Sequence, residues 1–195
     1  MNPLYIVLGI AAVVLGYAVF VYNRFVALIQ RAEEAWADID VQLKRRYDLI
    51  PNLVETVKGY AGHEKSTFDD VTEARAKATQ IHVDPSGVTP EQIAAMAGAE
   101  SALTQSLGRL LAVAENYPDL KANTNFLELQ RELSDTENKI QAARRFYNTN
   151  VRDLGIALQS FPSNIIGKVF NFKEREYFEL GEHEAAAREP VKVSF

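Results

Sequence analysis

The pattern of apolar and polar positions changes along the chain. From Pro3 to Tyr22 (PLYIVLGIAAVVLGYAVFVY) there is no charge and no polar face. At 1.5 Å per residue that run makes a helix of about 30 Å, the thickness of a bilayer's hydrocarbon core. From Phe25 the apolar residues become periodic. One row is Phe25, Ala32, Ile39, Arg46, Leu53 and Tyr60; beside it run Ile29, Trp36, Leu43, Ile50 and Val57, and Arg46 alone interrupts them. A sustained seven-residue repeat predicts helices packed at a shallow angle with the left-handed twist of a coiled coil. The rows keep phase across Pro51, which is therefore expected to kink the helix, not to end it. Gly59 and Gly62 weaken the next turn, and Phe68, Val71, Ala74 and Ala78 resume in shifted phase. A break near Gly62 is expected.

His82 to Gln92 (HVDPSGVTPEQ) reads as a loop that ends in a helix start: Thr89 as cap, Pro90 in the first position, Gln92 completing a capping box. The helix it opens carries Ile93, Met96, Leu103, Leu107, Leu110 and Ala114 and must stop before Pro118. A last long helix is expected from near Asn125, with Glu128 as box partner. Its apolar row is Phe126, Leu133, Ile140, Tyr147, Leu154 and Phe161; the neighbouring row holds Gln130, Glu137 and Arg144 before turning apolar at Val151 and Leu158. Ser163 is expected to cap a short segment rich in Phe and Ile. Residues 181–195 read as a mobile polar tail. The fold class is all-α: an anchor over residues 1–23, then an antiparallel bundle of long helices over 24–180.

Charge adds orientation. No Lys or Arg precedes the uncharged run, whereas Arg24 and Arg31 follow it, which places the N-terminus outside and the body in the cytosol. A cleaved signal peptide is the competing reading; the run is long for one and lacks a basic leader, so an uncleaved single-pass anchor is expected. Gly9, Ala12 and Gly16 share a face of small residues on which two membrane helices can approach closely, although such faces also occur without a partner. Over the whole chain 21 Lys+Arg stand against 26 Asp+Glu, an acidic balance that argues against nucleic-acid binding.

Candidate chemistry is sparse. With no cysteine there is no disulfide, thiolate nucleophile or Cys-ligated metal. His63-Glu64 opens like a zinc-protease motif, but the second histidine that would face the same metal is Thr67. No phosphate-binding glycine loop follows a strand, so neither a metal nor a cofactor is expected. What stands out is charge inside apolar rows: Arg46 from the first long helix, Glu137 and Arg144 from the last. A lone buried guanidinium is very costly, so Arg46 should meet a carboxylate, with Glu137 the best-placed candidate. Such a cluster either fixes helix register or holds a small anion.

Four stretches carry a family resemblance: IDVQLKRRYDLIPNLVETVKGYAGHE (Ile39–Glu64), AENYPDLKAN (Ala114–Asn123), FLELQRELSDTENKIQAARRFYN (Phe126–Asn148) and FPSNI (Phe161–Ile165). They closely resemble the LemA family, and the terminal PVKVSF looks like that family's tail. The resemblance implies a bacterial single-pass protein of the cytoplasmic membrane, N-terminus outside, with an antiparallel four-helix body. It brings no established enzymatic activity, and a related magnetosome protein is implicated in membrane vesicle formation. One departure is Leu154-Gly155, where the family commonly has Tyr-Asn.

The expected function is a non-enzymatic scaffold in contact with the lipid bilayer that forms homo-oligomers. Ile165, Ile166, Val169, Phe170, Phe172, Tyr177 and Phe178 exceed what a small bundle needs to cap itself, so they mark a subunit or membrane contact unless they fold back on the bundle. The alternative is an adaptor whose C-terminal Val193-Ser194-Phe195 joins the sheet edge of a membrane protein partner.

Overall fold

A computed structural model describes residues 3–85 and 87–178. The chain forms α1 (Pro3–Lys58), α2 (Lys65–Gln80), α3 (Pro90–Ala114), the single turn α4 (Pro118–Lys121), α5 (Thr124–Gln159) and the short α6 (Ser163–Val169); there is no strand among the described residues. This is an all-α bundle. α1 and α5 form its largest contact and run antiparallel, as Trp36 against Tyr147 at one level and Tyr60 against Asn123 at the far end show. α2 and α3 make an antiparallel hairpin, tied on its outside by Asp70 and Arg109, that closes over them.

The heptad rows face inward. Phe25, Ala32, Ile39, Leu53, Trp36, Leu43, Ile50 and Val57 of α1 are buried, and so are Phe126, Ile140, Tyr147 and Leu154 of α5. The ends of the rows, Tyr60 and Phe161, are exposed because the bundle stops short of them. The core has a far section around Leu53, Leu107 and Phe126, a middle section around Trp36, Met96 and Tyr147, and a section around Phe25 and Leu154 beside the uncharged run.

α1 does not break where the anchor was expected to hand over to the bundle at residue 23. Val21, inside the uncharged run, is already buried against the body, and the helix continues to Lys58. It also passes through Pro51 without interruption. The break near Gly62 is present, between Lys58 and Lys65. Thr89 accepts from the backbone N–H of Gln92, and the Gln92 side chain accepts from that of Thr89, the reciprocal box read from the sequence.

Two helix starts differ from expectation. Asn123, not Asn125, caps α5: its Oδ1 accepts from the Phe126 N–H at 3.0 Å. Ser163 caps nothing; its hydroxyl donates back to the carbonyls of Ala157 and Ser160, tying α6 to the end of α5. Beyond α6 the chain turns at Asn171, which takes a positive φ of 56°, and runs back along the bundle without regular structure to Phe178. The expected tail over 181–195 lies outside the described residues.

Candidate functional site

Arg46 projects from α1 into the middle of the bundle, where it is 4% exposed. Its Nη1 donates to Glu100 of α3 at 2.9 Å and its Nη2 to the Thr104 hydroxyl at 2.7 Å. Thr104 lies one turn beyond Glu100 on α3 and donates in turn to the Glu100 carbonyl. The second carboxylate oxygen of Glu100 accepts from the Tyr47 hydroxyl. Both oxygens of this buried carboxylate are therefore engaged, which is what makes a desolvated ion pair tolerable.

The partner expected for Arg46 was Glu137, and it is within ion-pair distance, but it is not the buried partner. Glu137 stands 3.5 Å from Nη1, but its side chain is 38% exposed, so it lies at the solvent rim while Glu100 takes the buried position. Sequence reasoning missed Glu100 although a signal was present. Ile93, Met96, Leu103, Leu107, Leu110 and Ala114 follow a three-four spacing whose missing member, between Met96 and Leu103, is position 100. Burial pushes the Glu100 carboxyl above its ordinary range, against the opposing pull of Tyr47 and Arg46. Burial, then the neighbouring Glu100 charge and its hydrogen bond, hold the Tyr47 phenol well above its usual value, so it stays a donor.

Arg144, expected in the same polar network, lies farther along α5. It is buried there, with its guanidinium 5.0 Å from the ring centre of Phe178, a cation–π geometry. Phe178 lies in a strap, residues 170–178, that the sequence left either as a subunit or membrane contact or as folded back on the bundle. Asn148 of α5 both accepts from the Phe178 N–H at 2.8 Å and donates to its carbonyl at 3.0 Å. The Tyr147 hydroxyl donates to the Glu176 carbonyl at 2.9 Å, and burial raises that phenol to about 12. Arg175 donates to Glu33 of α1 at 2.6 Å and to the Pro85 carbonyl of the α2–α3 loop. The Phe178 ring seats against Trp36 and is 1% exposed, so it is core and cannot be a subunit contact. Ile166 and Phe172 likewise pack against the Phe25 section. Ile165, Val169, Phe170 and Tyr177 remain exposed.

Along most of the uncharged run, up to Phe20, the helix is largely exposed. Large apolar side chains from Leu4 to Phe20 are exposed, and nothing lies within 4 Å of where a Cβ would stand at Gly9 or Gly16; Ala12, between them, is exposed too. His63 is exposed in the turn between α1 and α2, and no group of three or more His, Asp or Glu side chains is placed to hold a metal among the described residues. The arrangement thus offers a buried network in which the Arg46 Nε–H has no hydrogen-bond partner among the described residues, a strap and a largely uncovered apolar helix.

Comparison with known proteins shows a family. The sequence profile of the LemA family matches residues 35–195. The magnetosome protein MamQ of Magnetospirillum gryphiswaldense is 26% identical over 174 residues, 80% of this chain and 64% of MamQ. Protein LemA of Metamycoplasma hominis is 26% identical over 174 residues, 87% of this chain and 76% of the relative. The chain therefore spans less than two thirds of the length of the magnetosome relative.

Proposed function

The chain belongs to the LemA family, and from that premise we propose that it is a non-enzymatic, membrane-anchored scaffold that associates with copies of itself. The observation that carries this reading is α1, a single helix apolar and bare over its first turns and buried in the bundle over its last. A helix with a fully apolar circumference of that length needs a hydrocarbon environment or partner helices. Arg24 and Arg31, which follow the run, favour an N-terminus outside and a body in the cytosol of a bacterial inner membrane.

Self-association is supported by the open face at Gly9, Ala12 and Gly16. In lipid there is no hydrophobic force between helices, so association depends on close backbone approach at small residues. The non-enzymatic reading is supported by the lack of cysteine and of a paired-histidine motif. The Arg46–Glu100 pair is assigned to helix register, since it ties α1 to α3 through buried groups, with Glu100 and Thr104 accepting from Arg46 and Glu100 accepting from Tyr47. The likeness to MamQ, named a magnetosome protein, favours a role in the organisation of a membrane.

Particle mass of the full chain in mild detergent and in nanodiscs tests this reading. The wild type should run above a monomer in both, and Gly16→Ile should lower the order without loss of helical content. A wild-type monomer in both environments would end the scaffold reading.

A further inference from the structure

The end of the bundle nearest the uncharged run carries apolar side chains that stand exposed among the described residues. Phe161 is 80% exposed and Val169 70%; Ile165 and Phe170 are more than half exposed. Ile165 and Val169, four residues apart, share one side of α6, and Phe161 stands exposed in the turn that enters it. The opposite side is pressed onto the bundle at Gly167, where an added Cβ would stand 2.9 Å from Leu158 and 3.5 Å from the Phe25 ring. The exposed stripe is therefore held outward by packing.

Its height relative to α1 is set by ring contacts. Phe170 meets Tyr22 edge-on at 4.9 Å, and Phe172 meets both Tyr22 at 5.4 Å and Phe25 at 5.0 Å. Tyr22 is the last residue of the uncharged run, so α6 stands at the level where that run ends. Arg24, Lys168 and Lys173 are exposed at the same level. Aromatic rings and cations at the end of a spanning segment match the headgroup region of a bilayer, where rings lie half in hydrocarbon and cations meet anionic headgroups.

We propose that α6 is a membrane foot: Phe161, Ile165, Val169 and Phe170 sit in the headgroup–acyl boundary of the same bilayer that α1 crosses. The assignment rests on the reading of Pro3–Tyr22 as a spanning segment. It gives the exposed stripe a solvent suited to it, and it seats the near end of the body on the membrane surface.

The chain has no cysteine, so single labels are straightforward to place. Ile165→Cys, Val169→Cys, Val13→Cys and Ala122→Cys are each labelled with an environment-sensitive fluorophore in the full chain. Each is reconstituted into nanodiscs of phosphatidylcholine and phosphatidylglycerol doped with nitroxide lipids, spin-labelled either near the headgroup or at mid-chain. All four positions are exposed, so the labels leave the fold intact. The expected result is loss of fluorescence at 165 and 169 with the shallow nitroxide, loss at 13 with the deep one, and none at 122, at the far end of the bundle. A quenched Val13 label beside unquenched labels at 165 and 169 would overturn the foot and leave the anchor standing. An unquenched Val13 label would overturn both. Labels at 165 and 169 that ignore the lipid nitroxides but self-quench between copies would assign the face to a second copy and overturn the foot.

Discussion

Arg75 of α2 donates its Nε–H to the backbone carbonyl of Tyr47 at 2.7 Å. In an unbroken helix that carbonyl would accept from the N–H four residues on, and the residue there is Pro51, which has none. A side chain from the neighbouring helix thus supplies the donor that proline withholds, and α1 continues through its proline to Lys58. The same bond fixes α2 against α1 one residue from Arg46.

This pairing predicts coupling between positions far apart in sequence. Arg75→Met should destabilise the bundle by about 1–3 kcal/mol, the cost of leaving a packed carbonyl without its donor. In a Pro51→Ala background, where the helix regains its own N–H, the same substitution should cost markedly less. Denaturant unfolding of the four variants measures the difference; equal losses in both backgrounds would mean that Arg75 acts elsewhere.

The two carboxylates near Arg46 should behave differently. Removing one partner of the buried pair, by Arg46→Met or Glu100→Leu, should cost about 3–5 kcal/mol, while the double variant recovers much of the loss. Glu137 is over a third exposed, so Glu137→Gln should cost no more than about 1 kcal/mol. Thermal or urea melts distinguish the cases. A large loss at Glu137 with a small one at Glu100 would invert the assignment.

The raised Glu100 carboxyl gives a signed pH dependence. The folded chain binds this proton more tightly than the unfolded chain, whose carboxyl keeps the ordinary value of 4.5. Its contribution is therefore fully present below that value and is lost as pH rises through the raised one. Wild-type stability measured relative to Glu100→Gln should fall across that interval and then level off. A relative stability that rises with pH there would contradict the burial-driven shift.

Trp36, the one tryptophan of the chain, reports on the strap. Its ring contacts Tyr147 at 5.1 Å and Phe178 at 5.6 Å between centroids. Phe178→Ala should destabilise by about 3–5 kcal/mol and shift Trp36 emission to the red as water enters. Asn148→Ala removes both hydrogen bonds to the Phe178 backbone and should speed amide exchange over residues 172–178 while leaving α2 and α3 protected. Unchanged exchange would show that the strap is held without Asn148, by the Phe178 ring and the Tyr147 and Arg175 bonds.

Much of this was legible in the sequence because it depends on periodicity. The rows from Phe25 to Val57 and from Phe126 to Leu154 placed the long helices and their buried faces, and the Thr89–Gln92 box placed a helix start to the residue. Position 100 was overlooked because apolar positions were counted and the gap between Met96 and Leu103 was not asked who filled it. The cap at Asn123 lost to Asn125 because both asparagines precede a suitable helix, and only the backbone conformation tells which one stands outside it. The strap has no period at all. It is held by Tyr147, Asn148, Arg175 and the Phe178 ring, each over 25 residues away in sequence from some partner, as Asn148 and Phe178 are at a separation of 30. Nothing local in the chain announces such a contact.

The uninterrupted α1 has a mechanical consequence. Its 56 residues make a rod of about 84 Å with no joint between the uncharged run and the core of the bundle. Twisting the first turns about the helix axis must turn Trp36 and Arg46 by the same angle, and with them the whole body. Once two copies meet at the Gly9–Gly16 face, the azimuth of each body is therefore set. Moving that face by one position, about 100° around the axis, should swing the bundles like cranks on a shared shaft and change which of their surfaces confront each other.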